Sequence, residues 1–407
     1  MGSNVSLEHF CTTTFANFPW KIIIQDYHGN RFEVGQNQAH WYPAPLSITL
    51  HTSRAEKDLL ALNGFALVER YLKGEVDIDG NFYVLSSIKD YVPIELSTFQ
   101  FIKSYLSNRY FQNIERAKVN VKSHYDIPQY LLEIYLDKKY MAYSCAMFED
   151  TELNEKRLTE LITPGNGADD TFDSLEKAQH TKFKDAVDFI APSQGDSLLD
   201  IGCGYGGQLL VALENQPFGK VVGWTHSNNQ ATLGRQWLGR QATSKWALNE
   251  GDYREDQRIY DHITSTGMIS HVGPKGLIPY VNNIRQRIKP GGRYVHHALM
   301  ANFSTIPLDR KVGIAFNKKY VWPGFHWFTL SQHVSALESH GFKILKIVNL
   351  KAQYSKTITA WYERFMLHQA QMIEQMGEPT FRAWRLYLGG GAGPQSGDVN
   401  RIYCVAI

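Results

Sequence analysis

Short apolar runs of strand length alternate with segments of helical period along the second half of the chain. An apolar run at residues 198–199 is followed by strand patterns at 221–225, 246–250, 262–266 and 293–299, with helical patterns at 230–240 and 280–288. Parallel strands need crossover connections, and helices are the usual ones. The alternation therefore predicts an α/β fold: a doubly wound, mostly parallel sheet with helices on both faces.

The first part of the chain has a different pattern. It predicts strands at 18–24 and 46–50, one amphipathic helix at 55–72 and a turn at 77–81. We expect a small α+β N-terminal domain over residues 1–113 for lipid docking or assembly, a basic and polar linker at 114–123, and a larger domain over 124–407. Late in that domain we expect helices at 331–340 and 357–376, a strand at 342–349 and a glycine run at 388–393.

Composition excludes several classes of protein. With 407 residues, 43% of them hydrophobic, the chain is long enough for more than one domain. Its 42 basic and 40 acidic residues give a net charge of +2, so no nucleic-acid partner is expected. Four scattered cysteines predict neither a disulfide framework nor a metal site, and they favour a reducing compartment. No apolar run has bilayer length and no signal-peptide pattern opens the chain, so we expect a cytoplasmic protein.

A glycine-rich turn between a strand and a helix is the centre of the larger domain. The apolar run ends in Asp200, and the turn that follows contains Gly202, Gly204 and Gly206. Glycine allows a positive φ and lets a ligand approach the backbone where a Cβ would clash. The pattern predicts a ligand site at the start of a doubly wound sheet.

The same letters fit a dinucleotide fingerprint, G-x-G-x-x-G, at Gly202, Gly204 and Gly207. Two details decide against it. Asp200 closes the first strand, where its carboxylate can meet the cationic amino group of a methionine moiety. No acid follows the second strand at 221–225, where a nicotinamide dinucleotide needs one for its ribose. The sequence therefore favours S-adenosylmethionine (SAM).

Four motifs in order resemble the cyclopropane fatty-acid synthases, including the mycolic-acid cyclopropane synthases. They are YSC at 143–145, SLEKAQ at 174–179, LLDIGCGYGG at 198–207 and SHVGPK at 270–275. The resemblance covers residue 124 to the end, and residues 65–80 are similar to the N-terminal domain of the bacterial phospholipid enzymes. It implies a class I SAM-dependent methyltransferase domain.

The resemblance also implies which residues hold SAM. Around the methionine and ribose portions these are Tyr143, Ser144, Asp200, Gly202, Gly204, Gly206, Thr225 and Gln230. Near the adenine they are Asp252 and Tyr253. Thr225 and Gln230 are neutral hydrogen-bonding residues where the ribose is expected, which agrees with the missing acid. The alternative for this pair is helix capping and a solvated helix face.

In the resembled family a bound bicarbonate ion serves as the base. Its binding positions fall here on Cys145, Ser270, His297, Leu299 and Tyr387. Four of the five match, but Ser270 stands where the family has a glutamate. A serine hydroxyl carries no charge and reaches less far, so we expect the bicarbonate to be held less firmly.

The expected activity is SAM-dependent transfer of a carbon to the double bond of an unsaturated acyl chain in membrane phospholipids, giving a cyclopropane. A second interpretation keeps donor and acceptor but gives methyl- or methylene-branched chains, because Ser270 replaces the glutamate. A third takes a small amine as acceptor, as in plant alkaloid N-methyltransferases of this fold. A fourth interpretation is a lipid-binding protein without enzymatic activity. It requires that the presence of Ser270 in place of the glutamate has abolished catalysis.

Partners and location follow from that substrate. We expect peripheral association with the inner face of a membrane, and a homodimer stays open. A polar segment at 151–172 is inserted between YSC and SLEKAQ. It is either a surface loop or a lid over the acyl entrance.

Overall fold

The structure is a computed structural model that describes residues 6–38, 44–92, 129–149, 175–214, 217–301, 312–392 and 398–407. The predicted linker at 114–123 and the inserted segment at 151–172 lie outside the described residues. Within the described residues, no helix is both long enough and apolar enough to span a bilayer.

An N-terminal unit precedes the large sheet. Its elements in chain order are α1 (Leu7–Thr14), β1 (Ile22–Gln25), β2 (Arg31–Val34), β3 (Leu46–Leu50), α2 (Ser53–Leu60), α3 (Gly64–Leu72), β4 (Val76–Gly80) and a 3-10 helix (Phe82–Asp90). In the part of the chain that is described, its sheet has the order β2-β1-β3-β4. β1 is antiparallel to β2 and parallel to β3, and β4 is antiparallel to β3.

Two predictions for this unit are wrong. The helix predicted at 55–72 is two helices, because Leu62 adopts a positive φ of 48° and Asn63 begins α3 by accepting a hydrogen bond from the backbone of Ala66. The turn predicted at 77–81 is largely strand β4, whose residue Asp77 pairs with Thr49 of β3. Asp77 also forms ion pairs with His51 and Arg382. These ion pairs explain why an acidic residue, which is typical of a turn, occurs in a strand.

The large sheet and its helices follow the predicted alternation. In order the elements are α4 (Gln129–Tyr135), α5 (Leu175–Ile190), β5 (Ser197–Ile201), α6 (Gly207–Leu213), β6 (Lys220–Thr225), α7 (Asn228–Leu238), β7 (Trp246–Glu250), β8 (His262–Thr266), α8 (Leu277–Arg287) and β9 (Arg293–Met300). They continue with α9 (Val312–Phe316), α10 (Leu330–Ser339), β10 (Phe342–Asn349), α11 (Lys351–Leu367), α12 (Gln369–Met376), α13 (Glu378–Gly391) and β11 (Asp398–Ala406).

Seven strands within the described ranges form one mixed sheet in the order β10-β11-β9-β8-β5-β6-β7. β5 is parallel to β6 and β8, and β8 is parallel to β9, whereas β11 runs antiparallel between β9 and β10. The predicted α/β architecture with a small N-terminal sheet unit is confirmed. The carboxyl ends of β5, β6, β8 and β9 meet at one edge, where a doubly wound fold binds its ligands.

Three late features differ from the prediction or were left open by it. The helix predicted at 357–376 begins at Lys351 and is interrupted at His368, which separates α11 from α12. The glycine run lies inside helix α13 through Gly391. Strand β11 was not predicted, because the polar pair Asn400 and Arg401 interrupts its apolar pattern, although both side chains are buried.

Helix α13 joins the N-terminal unit to the large sheet. Arg382 donates to the carbonyls of Tyr71 and Val76, and Arg385 donates to the carbonyl of Ile78. One apolar cluster runs through both units, so their packing is continuous. At the closest approach, a Cβ built on Gly389 would lie 2.4 Å from the ring of Phe82.

We predict that Gly389→Ala destabilises the protein, because the Phe82 ring cannot yield 1 Å without disturbing its neighbours. The expected loss is about 1–3 kcal/mol, typical of overpacking. Gly390→Ala is the matched control, since a Cβ at Gly390 meets no atom within 4 Å and alanine favours a helix. The measurement is urea unfolding of both variants and the parent. Equal midpoints for the two variants would contradict the close packing.

Candidate active site

A cavity lies at the carboxyl edge of the sheet, between the glycine turn and the segment that precedes helix α5. Its lining includes six residues predicted to hold SAM, which are Tyr143, Ser144, Asp200, Gly202, Gly204 and Gln230. A larger cleft of about 710 Å³ lies elsewhere, between charged side chains such as Glu176 and Arg364, which pair with each other. The cavity at the glycine turn is the better candidate because it combines open backbone with a buried carboxyl group.

The glycine turn leaves room for a ligand at one position in particular. Gly204 has a φ of +56°, and a Cβ there would meet no atom within 4 Å, so its backbone faces open space. Gly202, with a φ of +76°, packs against Met268. Gly206 begins α6, and a Cβ there would meet Leu238 and Leu248. The turn thus presents Gly204 to the cavity and uses Gly206 for packing.

Asp200 is buried at the end of β5. Its Oδ1 accepts a hydrogen bond of 2.8 Å from the Thr264 hydroxyl on the neighbouring strand β8. Burial raises the pKa of Asp200 to about 7, although the Thr264 hydrogen bond and the charge of Lys182 lower it. A cation that enters the cavity would therefore favour the ionised form of this carboxyl group.

The end of β6 carries a short hydrogen-bonded pair. The Thr225 hydroxyl donates to Oε1 of Gln230 at 2.6 Å, and Ser227 caps helix α7 by accepting from the Gln230 backbone. Gln230 lines the cavity, whereas Thr225 lies behind it and fixes the orientation of the amide. Ser227 therefore caps α7, and neither Thr225 nor Gln230 does so.

Asp252 and Tyr253 lie at the start of a 3-10 turn after β7 and do not line the cavity. Asp252 accepts hydrogen bonds from the backbone and guanidinium of Arg254, which hold its pKa at about 2 although burial acts in the opposite direction. The Tyr253 ring packs edge-on against Tyr280, with 6.0 Å between ring centroids. These two residues are therefore ordered by contacts within the protein.

Helix α5 holds the opposite wall of the cavity. Gln179 donates to the carbonyls of Ala142 and Ser144, and Lys182 donates to the Ser144 hydroxyl at 2.8 Å and to the Gln179 side chain. Both side chains are fully buried. The sequence predicted this helix but not the roles of Gln179 and Lys182, because glutamine and lysine are usually found on the surface. Their spacing of three residues was the available signal, because it puts them on one helix face.

Cys145 is a buried neutral thiol. Its sulfur lies 3.3 Å from the carbonyl oxygen of Ala146 and 3.8 Å from that of Leu350. Burial raises its pKa to about 12, although the charges of Lys182 and Arg401 act in the opposite direction. A thiol in this state is a weak hydrogen-bond donor and not a nucleophile.

His297 lies on β9 and is buried. Its Nδ1 accepts a hydrogen bond of 3.2 Å from Nε of Arg401, and no described group hydrogen-bonds its Nε2. Burial lowers its pKa well below the usual range, and the charges of Arg401 and Lys182 lower it further. Since the same two cations act on Cys145, the two predicted residues share one electrostatic environment.

Ser270 lies in a short turn after β8 and is buried. Its carbonyl accepts from the backbone of His326, whereas no described group hydrogen-bonds its hydroxyl. The turn is attached to β9, because the backbone of Gly267 donates to the carbonyl of His297 at 2.8 Å. Leu299 follows on β9 and pairs with Val399 of β11. Ser270 and His297 thus supply two unpartnered buried polar atoms at one edge of the sheet.

Tyr387 reaches the cavity wall from helix α13. Its ring packs edge-on against Trp322, with 6.3 Å between ring centroids. Burial raises the pKa of Tyr387, although its neighbours Trp322, Tyr143 and Tyr354 act in the opposite direction. Tyr354 was missed by sequence reasoning, although its backbone donates to the carbonyl of Leu350, the group that the Cys145 sulfur contacts. Two tyrosines therefore occupy the region where one was predicted.

A known protein family matches most of this chain. A family model described as mycolic acid cyclopropane synthetase matches residues 112–402. The chain is 32% identical over 279 residues to a probable fatty acid methyltransferase of Pseudomonas putida. The aligned region covers 67% of this chain and 64% of that protein. It is 27% identical over 356 residues to the cyclopropane-fatty-acyl-phospholipid synthase of Escherichia coli K12, which covers 86% and 84% of the two chains.

A solved structure gives the same fold. The cyclopropane synthase MmaA2 from Mycobacterium tuberculosis superposes with a TM-score of 0.62 at 23% identity, covering 71% of this chain and 98% of that chain. Its coverage is consistent with a shared methyltransferase-type sheet, to which this chain adds an N-terminal unit.

We predict that SAM binding strengthens as pH rises to about 7, because Asp200 must lose its proton to face a cationic amino group. Below that pH the affinity should fall by about tenfold per pH unit. Asp200→Asn should bind weakly and without this slope. Asp252→Asn is the control, since Asp252, with a pKa of about 2, stays ionised over the whole range. Calorimetric titration at several pH values measures the slope, and a flat profile for the parent would contradict it.

Proposed function

Because this chain belongs to the mycolic acid cyclopropane synthetase family of SAM-dependent methyltransferases, we propose that it transfers the methyl group of SAM to an unsaturated acyl chain of a phospholipid. The alkene carbon forms the new C–C bond, the S–CH₃ bond breaks with its electron pair on sulfur, and a proton must then leave the carbon cation. The active site must hold the acyl chain, exclude water and allow that proton to leave.

The residues at the glycine turn fit a methyl donor. Asp200 would accept a hydrogen bond from the donor's amino group, and the open backbone at Gly204 would lie against its methionine portion. Gln230, oriented by Thr225, would bind the ribose. Tyr143 and Ser144 would close the opposite side, where Gln179 donates to the Ser144 carbonyl and Lys182 donates to the Ser144 hydroxyl.

An aromatic wall next to this cavity suits an acyl chain. The Tyr143 ring stacks on Trp322 with 5.3 Å between centroids and lies 5.2 Å from Trp361. His271 and Tyr387 also pack against Trp322. These rings provide a surface poor in water, so that water is less able to add to the carbon cation.

The observation that carries the proposal is the pair of unpartnered polar atoms, the Ser270 hydroxyl and Nε2 of His297. None of the five residues at the expected bicarbonate positions carries a negative charge, because Cys145 is a neutral thiol and His297 is a neutral imidazole. A small anion would satisfy both polar atoms. We propose that bicarbonate binds there and, when bound, supplies the base that the five side chains lack.

The product depends on how the proton leaves. A cyclopropane is the main proposal, in line with the Escherichia coli relative. The neutral Ser270 favours a second product class, methyl- or methylene-branched chains, because a loosely held base removes the proton with less selectivity. The Pseudomonas putida relative, a probable fatty acid methyltransferase, supports this alternative.

The proposed substrate implies where in the cell the protein acts. Acyl chains of phospholipids lie within a bilayer, and no helix in the described part of the chain can span one. We propose that the protein acts at the cytoplasmic membrane surface, with the N-terminal unit in contact with headgroups. A homodimer is compatible with this arrangement.

The direct test is transfer of labelled methyl from SAM to vesicles of dioleoyl phospholipid. We expect label in the acyl chains of the parent, and at least about a hundredfold less for Gly204→Val, whose side chain would fill the SAM cavity. Gly195→Val is the matched control, because Gly195 also has a positive φ with open space, at the opposite end of β5. Label in a small amine but not in lipid would favour the N-methyltransferase alternative.

We predict that Ser270→Glu shifts the product toward cyclopropane and that this gain depends on added bicarbonate. The carboxylate adds charge and reach beside the bound anion and would help to orient it. Ser270→Gln, of equal size without charge, should not show the gain. Mass spectrometry of the lipids measures the ratio of cyclopropane to branched chains. An identical ratio in the parent and both variants would refute this role of Ser270.

A further inference from the structure

His297 faces a buried arginine across two antiparallel strands. Arg401 of β11 is the direct register partner of His297 on β9, and both side chains are almost fully buried. The Nε of Arg401 lies 3.2 Å from Nδ1 of His297. The contact therefore involves the imidazole nitrogen that points away from the unpartnered Nε2.

The guanidinium of Arg401 is held in one orientation. Its terminal nitrogen donates to the carboxylate of Asp185 at 2.6 Å and to the carbonyl of Lys182 at 2.9 Å, both on helix α5. Tyr403, two residues along β11, donates to the same oxygen of Asp185 at 2.6 Å. With its terminal group fixed by helix α5, Arg401 keeps its Nε–H aimed at His297.

This contact decides where the proton of His297 resides. A guanidinium is always protonated and has no acceptor, so Nδ1 must offer a lone pair to the Nε–H of Arg401. A neutral imidazole that accepts at Nδ1 carries its proton on Nε2. Double protonation would set two N–H groups against each other, next to the cations Arg401 and Lys182 and the ring of His296, in a buried site.

We infer that Arg401 is a positioning residue that fixes the proton of His297 on Nε2, so that this histidine serves the reaction as a hydrogen-bond donor and not as its base. The inference rests on the proposed function for its consequence, but the tautomer itself is a property of the protein without ligands. It follows that the proton lost from the carbon cation does not pass to His297. Its acceptor is the anion that Nε2 and the Ser270 hydroxyl would hold.

Two substitutions at Arg401 form a matched pair. In Arg401→Gln the amide nitrogen occupies the chain position of Nε and still donates to Nδ1. In Arg401→Met a methyl group stands at that position and donates nothing. Both variants remove the cation and leave Asp185 with Tyr403 as a partner. At the position that faces Nδ1 of His297, glutamine places an N–H donor and methionine places none.

The readout is nitrogen NMR of protein labelled at its 15 histidines, with His297→Gln used to assign the signal. We expect Nε2–H in the parent and in Arg401→Gln, and loss of that preference in Arg401→Met. A proton on Nδ1 in the parent, or the parent pattern in Arg401→Met, would overturn the inference. If Arg401→Met does not fold, the parent spectrum still decides, because the nitrogen that carries the proton is read there directly.

Turnover separates positioning from general damage to the fold. Arg401→Met should transfer methyl groups at least about tenfold more slowly than Arg401→Gln, as for other residues that orient a functional histidine, with SAM affinity changed less than about twofold. Equal rates in the two variants would overturn the role in catalysis. If the parent itself transfers no methyl group to lipid, the proposed function is wrong. The NMR spectrum still shows which nitrogen of His297 carries the proton, so the inference about Arg401 is tested separately.

Discussion

Burial of two basic side chains at the carboxyl edge of the sheet is the constraint on which the site depends. Lys182 and Arg401 are almost fully buried, and burial lowers the pKa of Lys182 to about 7. A buried basic group is tolerated only with close polar or charged partners. Arg401 finds Asp185, and Lys182 finds the Ser144 hydroxyl and the Gln179 amide. Because these contacts join helix α5 to strand β11 and to the segment after α4, they fix the relative positions of all three.

The sequence predicted those parts of the site that depend on neighbours in the chain. The strand, glycine turn and helix from Asp200 onward follow from short-range pattern, and the family resemblance on these motifs is confirmed by the match over residues 112–402. The partners of the site could not be predicted in this way. Arg401 lies 104 residues from His297, and its strand is polar at the position that is paired. The break near Leu62 likewise depends on a capping Asn63 inside an amphipathic pattern.

The electrostatic state of the site agrees with a reaction that passes through a cation. Cys145 and His297 are neutral, and burial raises the pKa of Tyr143 well above its usual range, so none of the three would attack SAM or capture the alkene-derived cation. The site instead supplies donors and aromatic faces. Ser270 carries no charge and reaches less far than a glutamate would, so an external anion bound there would have one orienting group fewer.

The N-terminal unit affects this chemistry through helix α13. On one side of the site that helix carries Tyr387, whose ring packs against Trp322, which in turn stacks on Tyr143 at the cavity wall. Two residues later Gly389 receives the ring of Phe82, and Arg385 covers the same ring at 4.7 Å while donating to the carbonyl of Ile78. A shift of the N-terminal unit would therefore move α13 and with it Tyr387. The N-terminal unit thus helps to hold in place the aromatic residues of the proposed acyl site.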